Sequence, residues 1–451
     1  MIPSDEEVSV RPGNARAYGG RATGGASPPA ASADVPASKG TIATATGPSG
    51  RMHAEEPRLR VLVLSSVFPN ANRPSFGVFV KERVRYVAAH SDVVVVAPIA
   101  WFPLNRWIRG RERSAAPFVE TQEGMTVYHP RFLCIPRFGK GLDGFLYFLG
   151  VLPLLLWFRN RLPFDLIDAH FAYPDGLAAV LLGALYRRPV VITVRGDEAR
   201  LARHRLRRAQ MRWALRRAAR LVAVSASLRD TVAEIGVDPE RVRVIPNGVD
   251  TTRFKPGDRD SARKQLGLPG EKFVLLAVGD FIERKGHHRV IELLPQIVTR
   301  YPNLLYVAMG EDVPGEGCGS LIRELVRRHA LEDHVLLLPP QPHEQIPLWM
   351  AAADLFCLAT RWEGWCNALM EALSCGLPVV TTRVGGNPEF IAEGEDGFLV
   401  PYWDGDAFCD AAIEALARTW DRAKIAQRAQ RRGWRQTACQ VLEEFHAALA
   451  L

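Results

Sequence analysis

Two series of short, continuously apolar runs constrain this 451-residue chain more than any other feature. The first occupies residues 59–65, 92–97, 166–169, 190–194 and 221–224, and the second 273–278, 304–309, 335–338, 355–358 and 378–381. The runs are rich in Val, Leu and Ile and do not alternate with polar residues, so each strand must be buried on both faces. That is the pattern of a parallel sheet covered on both sides by helices. Helical stretches are expected between the runs, at about 79–89, 288–301 and 321–329. A chain of this length buries two domain-sized cores, since single cores stop growing at roughly 250–300 residues. The polar stretch beginning at Pro246, Asn247, Gly248, Val249 and Asp250 makes a natural crossing between them. The expected fold class is therefore α/β, with two Rossmann-like domains, 58–245 and 246–430, facing each other across a cleft. Residues 431–451 form a C-terminal helix long enough to return to the first domain.

Residues 1–57 are dominated by Gly, Ala, Pro and Ser without apolar periodicity, so nothing opposes the entropy of disorder there. This tail lacks the uninterrupted apolar core of a secretory signal, and export is not indicated. None of the seven cysteines stands in a close pair, which fits neither a disulfide framework nor a zinc site and suits a reducing cytoplasm. The formal charge of +8 is concentrated locally: nine arginines and no acid lie between Arg200 and Arg220, and a second basic patch spans 107–113. Such patches attract polyanions, whether nucleic acid, nucleotide-linked substrates or an anionic bilayer. Residues 142–158 are apolar but interrupted by Asp143 and Pro153, and fall short of the ~20 residues needed to span a bilayer. They read as a buried or surface-docking helix, with a membrane-facing helix as the alternative; Trp101 and Trp107 add interfacial aromatics nearby.

In open α/β sheets ligands bind beyond the carboxyl ends of the strands, so the chemistry should lie in the loops that follow these runs. After 355–358 comes the densest cluster: Glu363, Gly364, Trp365, Cys366, Asn367 and Glu371. Asn367 is placed to cap a helix whose free N–H groups can receive a phosphate or sugar oxygen. Glu371, one turn in, would point at vicinal hydroxyls such as those of ribose, and Glu363 could reach a transferred group. After 273–278, Arg284 and Lys285 supply fixed cations suited to a diphosphate, and Gly286 lets a helix start tightly. In the first half, Gly77 precedes a helix, His170 comes just after one strand, and Arg195 and Asp197 follow another. Asp197 could accept a bond from an acceptor hydroxyl, while Arg195 could pair with phosphate or with a structural acid. Adjacent His287 and His288 cannot both face one metal from a helix, and Asp404 or Asp406 is more simply a helix cap, so no metal site is expected.

Taken together, Gly77, Asp168 to His170, Arg195 to Asp197, Val244 to Asp250, Arg284 to Gly286 and Glu363 to Val380 resemble the retaining, nucleotide-sugar-dependent glycosyltransferases of family 4, with the GT-B fold. The resemblance implies that Glu371 holds the ribose, Glu363 contacts the donor sugar, and Lys285 and Arg284 neutralise the leaving diphosphate. It places Gly77 and the amides of Trp365, Cys366 and Asn367 against phosphate or sugar, His170 near the reacting sugar, and Arg195 and Asp197 on the acceptor side. It implies a nucleoside-diphosphate-sugar donor, no metal or other cofactor, and a glycan or polyprenyl-diphosphate-linked glycan acceptor in cell-surface polysaccharide synthesis. The setting would be cytoplasmic, with an anionic membrane surface as a further partner and no nucleic acid. Two departures stand out: Asp280 replaces the arginine that many members carry after the glycine equivalent to Gly279, and Trp365, Cys366 and Asn367 replace small residues. The competing readings are a nucleotide-sugar epimerase of similar architecture and a non-enzymatic polyanion-binding protein using the Arg200–Arg220 face. The latter is disfavoured because Trp213 is the lone aromatic interspersed there.

Overall fold

The computed structural model describes residues 58–103, 116–135, 137–159, 161–313, 315–402 and 404–451. The expected tail at 1–57 and the basic patch at 107–113 lie outside these residues.

The first half is an eight-stranded sheet. Its strands in chain order are β1 (Arg60–Leu64), β2 (Asp92–Val96), β4 (Val119–Gln122), β5 (Met125–Tyr128), β7 (Leu166–His170), β8 (Val190–Val194), β9 (Arg220–Ala223) and β10 (Val242–Val244). Two further strands, β3 (Ile99–Trp101) and β6 (Arg131–Leu133), pair separately. The spatial order is β10-β9-β8-β7-β1-β2-β5-β4, parallel throughout except for the β4–β5 hairpin. The second half is a six-stranded, all-parallel sheet of β11 (Phe273–Val278), β12 (Leu304–Met309), β13 (Val335–Leu338), β14 (Leu355–Leu358), β15 (Val379–Thr382) and β16 (Gly397–Val400), ordered β13-β12-β11-β14-β15-β16.

Strand periodicity decides the layering. Leu62 and Leu64 of β1 join one apolar cluster, while Val61 and Val63 join another on the opposite face. In the second domain Val274 and Leu276 of β11 divide in the same way from Leu275 and Ala277. Both sheets are thus sandwiched by helices. The helices that matter for the site are α1 (Val78–Ala88), α2 (Asp143–Phe158), α3 (Leu177–Tyr186), α4 (Arg205–Arg217), α5 (Ala226–Ile235), α6 (His287–Arg300), α7 (Asn367–Ser374), α8 (Gly405–Ala417) and α9 (Trp434–Leu449).

Helix α9 returns to the first sheet. Its Ala438, Val441, Phe445 and Ala448 are buried in the same cluster as Val80 and Val84 of α1. Ion pairs fasten the contact: Arg243 of β10 donates to Glu443 and Glu444 at 2.7 and 2.8 Å. The Pro246–Asp250 crossing is pinned to the segment before α9, where Val249 N donates to Arg432 O and Trp434 N donates back to Val249 O.

Helix α2 is amphipathic in place. Tyr147, Val151, Leu155 and Phe158 are fully buried, whereas Phe145, Leu149, Leu156 and Trp157 are exposed. No helix among the described residues is long and apolar enough to cross a membrane. Asp404 caps α8 by accepting from Ala407 N at 3.0 Å.

Candidate functional site

The loops at the carboxyl ends of both sheets line one cleft of about 560 Å³. From the first domain come Gly77, Phe79, Glu82, Phe171, Arg195, Gly196 and Asp197; from the second, Gly279, Asp280, Arg284, Lys285, His343, Glu363, Trp365, Asn367 and Glu371. Asn247 and Asp250 of the crossing and Trp434 of α9 complete the wall.

At the floor lies an ion-paired carboxylate. Glu363 is buried, with Oε1 accepting from Lys285 Nζ at 2.8 Å and Thr360 Oγ1 at 3.1 Å, and Oε2 accepting from Arg284 Nη1 at 3.0 Å. Burial alone would raise its pKa, but Lys285 and then Arg284 outweigh that and hold it below the ordinary carboxylate value. Each cation spends one donor on Glu363, and the ammonium and guanidinium carry further N–H groups. The Arg284 side chain also lies over the Trp362 ring. Asp280, which departs from the family pattern, is exposed at the cleft wall.

Eight positions further on, Glu371 is arranged differently. It lines the cleft from α7, and its Oε1 lies 3.1 Å from His343 Nε2. His343 follows β13, packs its ring 5.2 Å from Phe254, and takes Arg253 Nη1 on Nδ1 at 2.7 Å. The sequence reading passed over His343, although it sits just beyond the carboxyl end of a recognised strand, where ligand contacts are expected.

The start of α7 corrects one expectation. Cys366, not Asn367, is the N-cap residue, and Asn367 is the first helical residue. The Asn367 amide oxygen instead accepts from Asn247 Nδ2 at 3.0 Å. Asn247 Oδ1 in turn accepts from Arg195 Nη1 at 2.9 Å. A polar chain therefore runs from the first domain through the crossing to the helix that carries Glu371. Cys366 packs its side chain into the second core, and Trp365 stacks on Phe390 at 4.6 Å while joining the first domain's cluster.

His170 also differs from its expected place. Its side chain is fully buried and does not line the cleft. Nδ1 accepts from Arg195 Nε at 3.0 Å and faces Nη2 at 2.9 Å, and Nε2 lies 3.3 Å from Asp168. Burial, only partly offset by Asp168, lowers its pKa to about 4. The ring thus braces Arg195 from behind. Arg195 spends its guanidinium on His170 and Asn247, whereas Asp197 is half-exposed at the rim beside Arg200.

Gly77 precedes α1 with φ 78°, and a Cβ there would fall 2.6 Å from Val67 O. At Gly364 the backbones of the two domains approach closely: a Cβ on it would stand 2.1 Å from Arg195 O. Nearby, Glu389 reaches across to accept from Ala226 N and Ser227 N, at 2.9 and 3.1 Å, on the first turn of α5. Neither Asn247 nor Glu389 was given a role from the sequence, although Asn247 lies within the crossing motif.

His287 bridges Tyr306 Oη and Gly279 O at 3.1 and 2.9 Å, a structural duty. Among the described residues no group of three or more His, Cys, Asp or Glu is placed to hold a metal ion.

Comparison with known proteins agrees with this architecture domain by domain. Residues 78–253 match Glycosyltransferase Family 4, and residues 258–432 match Glycosyl transferases group 1. The chain is 31% identical to a D-inositol 3-phosphate glycosyltransferase of Pseudarthrobacter chlorophenolicus, over 64% of this chain and 73% of that one. It is 27% identical to a putative teichuronic acid biosynthesis glycosyltransferase of Bacillus subtilis, over 80% and 89% respectively. Among solved structures, sucrose-phosphate synthase of Thermosynechococcus elongatus superposes with a TM-score of 0.71 at 20% identity, covering 87% of this chain and all of that one. Anabaena HepE in complex with UDP and glucose gives 0.66 at 22%, covering 86% and all of that chain. Two facing Rossmann-like sheets, matched along both halves, identify the chain as a glycosyltransferase of family 4 with the GT-B fold.

Proposed function

We propose that this glycosyltransferase moves a sugar from a nucleoside-diphosphate sugar to a hydroxyl of a glycan or lipid-linked glycan, with retention of anomeric configuration, in cell-surface polysaccharide synthesis. The observation that carries the reading is the pairing of Arg284 and Lys285 on buried Glu363 at the cleft floor, with Glu371 on the same wall. Loss of a nucleoside diphosphate develops negative charge on its terminal phosphate, and two preorganised cations stabilise that charge as it forms. Glu371 takes the ribose hydroxyls, and Glu363 contacts the donor sugar while fixing the cations. The acceptor hydroxyl attacks from the leaving-group side, its proton passing to the departing phosphate oxygen. Asp197 at the first-domain rim meets the acceptor, and closure of the domains limits donor hydrolysis. The HepE complex with UDP and glucose supports the donor class, and the teichuronic acid relative supports the polysaccharide role.

The same reading includes peripheral attachment to the inner face of the cell membrane. The turn that leads into α2 is tied to α4, where Gln210 Nε2 donates to Gly141 O at 3.0 Å, and α2 exposes Phe145, Leu149, Leu156 and Trp157. Arg205, Arg208, Arg212, Arg216 and Arg217 of α4 are exposed. Apolar side chains flanked by unscreened cations suit an anionic bilayer surface. Nucleic acid is not a proposed partner.

The test is incubation of purified protein with a panel of uridine-, guanosine- and adenosine-diphosphate sugars and glycan acceptors. Donor-specific nucleotide release with an α-to-α or β-to-β product by NMR is expected. Turnover to an epimerised nucleotide sugar without acceptor would overturn the transfer reading.

A further inference from the structure

We infer that His343 is a positioning residue that presents Glu371 to the donor ribose, with its tautomer fixed by Arg253; this rests on the reading of Glu371 as the ribose contact. The geometry fixes the proton. A guanidinium has donors and no acceptor, so Arg253 Nη1 at 2.7 Å requires a lone pair on His343 Nδ1. The ring's one remaining proton then sits on Nε2 and is donated to Glu371 Oε1 at 3.1 Å.

The relay is anchored at its far end. Asp250 Oδ1 accepts from Thr252 N, Thr252 Oγ1 and Arg253 N at 3.1, 2.6 and 3.3 Å, and Asp250 Oδ2 takes Arg85 of α1 at 3.2 Å. Phe254 packs against the imidazole at a tilt of 56°. The charged groups around the ring are Glu371 from α7, Arg253 from the crossing and Glu82 from α1.

A glutamate that lines the cleft otherwise loses rotamer freedom when it meets ligand. Held through one oxygen, it meets a vicinal diol with the other already aimed. Among the described residues His343 is the hydrogen-bond partner recorded for the Glu371 carboxylate.

The experiment uses the full-length protein with UDP, GDP and ADP, taking the one that stabilises it most together with its 2′,3′-dideoxy counterpart. Dissociation constants for both are measured by calorimetry on wild type, His343→Leu, His343→Gln and Arg253→Met. Wild type is expected to prefer the ribonucleotide, and His343→Leu to lose about tenfold of affinity for it, the size of one charge-assisted hydrogen bond, with the dideoxy analogue unchanged. His343→Gln offers the same donor and acceptor pair without an imidazole and is expected to restore most of the preference. Arg253→Met is expected to fall between. In turnover, His343→Leu raises the donor KM and leaves kcat in place. If His343→Leu discriminates between the two nucleotides as wild type does, His343 has no positioning role. If wild type itself does not discriminate, the ribose reading of Glu371 fails and takes this inference with it.

Discussion

Glu363 and Glu371 are the same residue type eight positions apart, and the fold gives them opposite surroundings. Glu363 lies before α7 with both oxygens taken by Lys285, Arg284 and Thr360. Glu371 lies within α7, held through one oxygen by His343, and lines the cleft. Removing a partner from a buried ion pair strands the remaining charge, whereas removing Glu371 leaves the His343 N–H without that acceptor, a smaller loss. The two glutamates should therefore fail in different ways: one through the framework of the site, the other through ligand affinity alone.

The largest expected effect is at Glu363. Glu363→Ala leaves Arg284 and Lys285 facing each other without their shared anion, and is expected to cost about 3 kcal/mol in chemical denaturation. Transfer should fall by about 100-fold or more, because the phosphate cations lose their positions. Wild-type stability in this variant would break the distinction drawn between the two carboxylates.

Gly364 comes next because it carries the Glu363 loop against the first domain. A Cβ at 2.1 Å from Arg195 O cannot be accommodated without withdrawal of the loop or of residues 195–196. Gly364→Ala is expected to reduce initial transfer rates about tenfold, with the loss in turnover rather than in nucleotide affinity. Unchanged turnover would mean that the contact between Gly364 and Arg195 is not part of the working state.

At Glu371 the expectation is the mirror image of Glu363. Glu371→Ala should raise the donor KM about tenfold while unfolding free energy stays within about 0.5 kcal/mol. A loss of stability comparable to that of Glu363→Ala would erase the contrast.

The sequence showed that both glutamates follow a strand and flank a helix, but not that one is clamped through both oxygens and the other held through one. The reason is physical. The strands at 273–278, 304–309, 335–338 and 355–358 are uninterrupted apolar runs of four to six residues, and their observed bounds coincide with those readings. Strands β3, β4, β6 and β10 are three- or four-residue edge or satellite strands with mixed burial, so they carry no such run. The pairing of Arg284 and Lys285 with Glu363 joins residues nearly eighty positions apart, and no local pattern encodes it. His343 was missed for a related cause: its meaning depends on Arg253 and Glu371, which are distant in sequence and meet only when β13 and α7 are in place. The sequence put His170 in the loop just after a strand, whereas it is the last residue of β7. Phe171, the next residue, lines the cleft, while His170 turns inward between Asp168 and Arg195.

The smallest effect extends the comparison to pH, because Glu363 and His170 are both buried yet opposite in charge state. Partners keep Glu363 ionised, so its folded pKa lies below the ordinary value. The stability it contributes is present above that value and is lost as pH falls through the lower folded one. Burial refuses the charge on His170, whose pKa drops from 6.5 to about 4. Its contribution is complete above pH 6.5 and declines as pH falls toward 4, because the unfolded chain takes up a proton that the folded chain does not. The histidine therefore acts first in an acid titration, and Glu363 only below it. At pH 5.5 unfolding of wild type is expected to take up about 0.9 proton more than unfolding of His170→Asn, which keeps an acceptor for Arg195 but does not titrate. Calorimetry in buffers of different ionisation enthalpy measures that difference. Equal uptake would mean that His170 already carries its proton in the fold; both ring nitrogens would then be donors, Nδ1 could not accept from Arg195, and the account of His170 as the acceptor that braces Arg195 would fail.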